Sequence, residues 1–144
     1  MKQILMNLYL LWGAIQDLKE KKISMIYLKV GVVLGLLFFM GEIQRQNISI
    51  EEVLLSFLPG ILFLFVAKLS GEKIGFGDGW LFLIVACWLG MRETWALWQI
   101  SLVLSSIFSF VMLIAKKYSR NYCLAFVPFV WLAHLLLWSL YYGK

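Results

Sequence analysis

The chain has 144 residues, 62% hydrophobic and 15% charged, with a mean hydropathy of +0.87. A soluble domain is typically about 45–50% apolar and a quarter charged, so a fold of this size in water could not bury so much apolar surface, and lipid is the expected solvent. The formal net charge is +5, but the basic residues sit in short gaps between apolar runs, which excludes a nucleic-acid-binding face.

Six apolar runs are expected, at 3–17, 25–40, 52–69, 78–91, 94–115 and 122–142. None alternates as a barrel strand does, so each is expected to be a helix. The first begins with Lys2 and reaches small residues at Gly13 and Ala14, like a secretory signal; further apolar runs follow, and it reads as a retained transmembrane helix. In the second run, Gly31 and Gly35 form a G-x-x-x-G face suited to close helix contact. The third opens with Ser49 and Glu52 at capping-box spacing and contains Pro59–Gly60, where a kink is expected. The fourth opens with Gly75-Phe76-Gly77-Asp78-Gly79. The alternating glycines are poor helix formers, so unwound backbone that an extended peptide could pair with is expected there. With Trp80 following, this is not a dinucleotide loop. Cys87 and Cys123 lie in or beside apolar runs and show no C-x-x-C spacing, so buried thiols are expected rather than a disulfide or metal site.

The gaps after runs one, three and five carry Lys19, Lys21, Lys22, Lys68, Lys73, Lys116, Lys117 and Arg120. The opposite side carries only Lys2, Arg45, Arg92 and Lys144, and Lys29 lies inside run two. The positive-inside rule puts the larger set in the cytoplasm and both termini outside. Trp95, Trp98, Trp138, Tyr141 and Tyr142 then gather at the outer interface. The expected architecture is an all-α membrane protein, a polytopic bundle of six transmembrane helices forming one domain over 1–144.

Among the acidic residues, Glu42, Glu51, Glu52 and Glu93 read as outer surface, and Glu20 and Glu72 lie among inner-loop lysines. Asp17 ends an apolar run and Asp78 begins one, so both sit where a helix meets the cytoplasmic interface. Ionisable groups at membrane depth are costly and mark function. Two carboxylates brought together share a proton: one stays anionic and can deprotonate water while the other hydrogen-bonds a scissile carbonyl. Runs one to four are shorter than the roughly 20 residues that span a bilayer; this favours local thinning and a hydrated recess at the inner ends of runs one and four.

Two segments resemble the prepilin and preflagellin peptidases, a family of membrane aspartyl proteases. The first is Asp17-Leu18-Lys19-Glu20-Lys21-Lys22-Ile23, similar to the family's Asp, basic stretch and Ile-Pro-Asn. The second is Gly75-Phe76-Gly77-Asp78, similar to its G-x-G-D signature. Val127-Pro128-Phe129 is a weaker third match, to a late Pro-Phe element. The resemblance implies that Asp17 and Asp78 are the catalytic pair, with Gly75, Gly77, Gly79 and Lys19 supporting the motif and the approach of substrate. It implies a substrate too, the leader of a type IV pilin-like or archaeal flagellin-like precursor, cut at the cytoplasmic face of the cell membrane. Ser24-Met25 departs from the family's Pro-Asn. No paired-cysteine N-terminal region is present, so the resemblance is to short, peptidase-only members, without methyl transfer. No cofactor, metal or nucleic-acid partner is expected. The alternative is a non-catalytic polytopic protein, a small transporter or a pilus-assembly scaffold, although a transporter should carry polar groups at mid-membrane depth. His134, the single histidine, lies about 18 Å along its helix from the cytoplasmic end and reads as a packed or interfacial residue.

Overall fold

The computed structural model describes residues 2–21, 23–45, 49–70, 75–115 and 124–142, with the side chains of 42–45 and 142 excepted. Lys22, Glu72, Lys73, Lys116, Lys117, Arg120, Cys123 and Lys144 lie outside the described residues, as do the side chains of Glu42, Arg45 and Tyr142. The described residues form six helices in order: α1 (Lys2–Glu20), α2 (Met25–Arg45), α3 (Ile50–Leu69), α4 (Phe76–Leu89), α5 (Met91–Ile114) and α6 (Val127–Tyr142). The described residues contain no strand. By length and hydropathy, α3 and α5 are sufficient to cross a bilayer, while the apolar stretches of α2, α4 and α6 are shorter. Every residue from 106 to 111 in α5 is exposed, apolar side chains included, as suits a helix surrounded by lipid and not by water.

The residues group into two compact units, one of Gln3–Lys21 with Leu97–Lys144, the other of Lys22–Ala96 with Lys2. In the second unit, α3 and α4 pack antiparallel through two reciprocal glycine contacts. A Cβ on Gly60 would stand 2.8 Å from the Leu83 main-chain nitrogen, and one on Gly79 would stand 2.7 Å from Leu64 Cδ2. Each glycine therefore receives the leucine of the facing helix, the close approach that small residues permit between membrane helices. Helix α2 uses its own glycines against α4. The fully buried Trp88 lies over Gly35, donates its Nε1–H to the Gly31 carbonyl at 3.3 Å and packs on Phe38 with ring centroids 4.9 Å apart.

Helix starts and stops follow local chemistry. Ser49 caps α3 as its spacing predicts, its hydroxyl accepting the Glu52 N–H at 3.3 Å. The helix runs on through Pro59, whose missing N–H deprives the Leu55 carbonyl of its partner four residues on. The Trp95 indole N–H supplies the replacement, at 3.0 Å. Gly90 separates α4 from α5 with φ 79, a conformation in which any side chain would be strained. Residues 124–126 are not helical and α6 begins at Val127, which puts Pro128 in the first turn, where proline is tolerated.

Candidate functional site

Asp17 lies in the last turn of α1 and is 6% exposed. Both of its polar ends are held. Lys21 adopts φ 51, the left-handed position that closes a helix, and its N–H donates to the Asp17 carbonyl at 2.8 Å. The carboxylate Oδ2 accepts the Val127 N–H at 3.0 Å, and the Phe126 N–H also faces the carboxylate. A carboxylate from α1 thereby caps the start of α6, where the first main-chain donors have no partner within their own helix. Lys19 is exposed in the same closing turn of α1.

Asp78 belongs to the other unit and occupies the third position of α4, after the cap residue Gly75. Its N–H donates to the Gly75 carbonyl at 3.1 Å. Its half-buried carboxylate folds back over the cap, with Oδ2 3.2 Å from where a Gly75 Cβ would stand. An acidic group in the first turn complements the positive end of the helix.

The expectation of unwound backbone across 75–79 is corrected. Only Gly75 stands outside the helix, in extended geometry, and α4 is helical from Phe76 onward. The backbone at Gly77 and Gly79 is therefore helical and not extended. What these glycines provide is proximity. A Cβ on Gly77 would lie 2.8 Å from Ile23 Cδ1, and one on Gly79 is excluded by Leu64. Close packing on two sides outweighs the helix propensity lost, about 1 kcal/mol per glycine. Gly77 and Ile23, one from each of the two sequence segments, are thus brought together.

His134 is 2% exposed, and its Nε2–H donates to Gln3 Oε1 at 3.0 Å within the first unit, which agrees with a packed residue. Among the described residues, no group of three or more His, Cys, Asp or Glu side chains could hold a metal ion. Sequence reasoning missed the donors at the start of α6. The signal for them was Pro128, a residue that inside a helix belongs to the first turn.

Among the described residues all regular structure is helical, two helices are long and apolar enough to cross a bilayer, and carboxylates stand at helix ends, features consistent with a membrane protein. The chain belongs to the type IV leader peptidase family, whose sequence profile matches residues 4–115. The matched stretch contains Asp17, Asp78 and both segments around them. No curated protein and no solved structure matches the chain.

Proposed function

We propose that this protein is a membrane aspartic endopeptidase that removes the leader of type IV pilin-like, or archaeal flagellin-like, precursors. The observation that carries the reading is the family match over residues 4–115, which includes the two aspartates lying at helix ends. On this reading all six helices cross the membrane with both termini outside, and Asp17 and Asp78 meet at the cytoplasmic face. The precursor presents a basic leader followed by an apolar helix, so its cleavage point lies at the same interface.

The chemistry needs no cofactor. One carboxylate takes a proton from water as the water oxygen bonds to the scissile carbonyl carbon, and the protonated partner gives its proton to the carbonyl oxygen. Collapse of the resulting diol breaks the C–N bond, and the amine nitrogen leaves carrying the proton returned by the pair. The products are a carboxylic acid and an amine, and the two aspartates end sharing one proton as they began. The pair titrates as a unit.

The test is leader cleavage of a co-expressed pilin-like precursor by the parent protein and by the Asp17→Asn and Asp78→Asn variants. Cleavage by the parent and its loss in both variants is the expected result. Processing that persists in both variants refutes the dyad, and a parent that binds precursors without cutting any of them favours a scaffold.

A further inference from the structure

The start of α6 contributes no ionisable side chain, yet it holds the carboxylate of Asp17. At the first turn of any helix several N–H groups lack partners. Here the inventory is short. Pro128 has no N–H, and the Phe129 and Val130 N–H groups both turn to the Phe126 carbonyl, at 3.0 and 3.3 Å. The donors left over are those of Phe126 and Val127, and both face Asp17. The Val127 side chain is fully buried and Pro128 fixes its own φ, so the Val127 N–H has little freedom to turn away. On the other side of the contact, the Lys21 N–H holds the Asp17 main chain.

We propose that Val127 is a positioning residue for Asp17: its main-chain N–H holds Oδ2 and so sets the orientation in which the carboxylate meets water or the scissile carbonyl. The inference rests on the peptidase reading and deepens it. Asp17 then has one orientation. The donor that sets that orientation lies 110 residues away in the chain, beyond the stretch that the family profile matches. A carboxylate with both oxygens free would rotate between two equivalent poses; this one has Oδ2 fixed by the Val127 N–H. Holding reacting groups in one geometry accounts for a large share of enzymatic rate, and a shift of about 1 Å can cost on the order of 100-fold.

The experiment compares Val127→Pro with Val127→Ala in the full chain, reconstituted in lipid with a pilin-like precursor. Proline at the first helical position deletes one N–H and otherwise suits the backbone, and Phe126, outside the helix, can precede it. Alanine removes side-chain packing but keeps the donor. Val127→Pro is expected to lower kcat by about 10-fold or more with KM within about twofold, and Val127→Ala to keep kcat within about threefold. If Val127→Pro does not fold, a main-chain ester at position 127 deletes the same N–H without the ring, and the same fall in kcat is expected. Parental kcat in the N–H-deleted protein overturns the inference, as does an equal loss in Val127→Ala. If Asp17→Asn itself still cleaves, the peptidase reading fails; if Asp17→Asn is inactive while the N–H-deleted protein keeps parental kcat, only the positioning role fails.

Discussion

Gly79→Ala sets two effects of known sign against each other. Alanine is favoured over glycine inside a helix by about 1 kcal/mol, which alone would stabilise α4. The added Cβ, however, would stand 2.7 Å from both Leu64 Cδ2 and Cγ, and 3.0 Å from the Leu64 main-chain nitrogen. The side-chain contact falls roughly 0.7 Å or more short of ordinary van der Waals separation. Leu64 can turn its tip away, but its nitrogen belongs to α3 and moves only if the helices part. Overpacking of this kind costs about 1–3 kcal/mol, so a net loss of about 1 kcal/mol is expected after the gain in propensity. Leu64→Ala in the same background relieves the side-chain contact and leaves the main-chain one, so the two substitutions should couple by about 1 kcal/mol without full rescue. Reversible unfolding in mixed micelles measures the stabilities. Asp78 is the preceding residue, so separation of the helices should also reduce leader cleavage. A Gly79→Ala protein as stable as its parent, or more so, would falsify the packing argument and return this glycine to the role of a flexible link.

Two further outcomes are expected. Lys21→Gly should stabilise the protein by about 0.5–1 kcal/mol, because the left-handed geometry at φ 51 penalises a side chain more than glycine's extra freedom in the unfolded chain costs; the same unfolding assay reads it, and a destabilised variant contradicts it. Trp95→Phe should cost about 1 kcal/mol in the parent and clearly less in a Pro59→Ala background, where residue 59 regains an N–H for the Leu55 carbonyl. An equal cost in both backgrounds would mean that the indole bond does not compensate for the proline.

The parts of the fold that were legible in sequence are those governed by local chemistry. Six apolar runs correspond to the six helices of the described residues, and Ser49 with Glu52 marks the start of α3, because a cap depends on residues three apart. The glycines of the Asp78 segment were read from propensity alone. Propensity describes an isolated helix, whereas Gly77 and Gly79 are set by Ile23 and Leu64, neighbours that only the folded chain supplies. The pairing of Pro59 with Trp95 has the same character: each residue was noticed separately, one as a kink and one as an interfacial aromatic. Tertiary structure joined them through an orphaned carbonyl. The brace on Asp17 was least visible of all, since its donors are main-chain N–H groups, which every residue but proline carries and no letter of the sequence distinguishes.

That brace has a consequence in time. The chain is made from its N-terminus, and Asp17 emerges 110 residues before Val127. At usual synthesis rates the interval is on the order of ten seconds. Throughout it the first helix carries a carboxylate for which the last helix, not yet made, holds the hydrogen-bond donor. A ribosome that stalls before α6 leaves a fragment containing both aspartates but without the contact that orients one of them. The Asp17 environment is complete only once the start of α6 has been made.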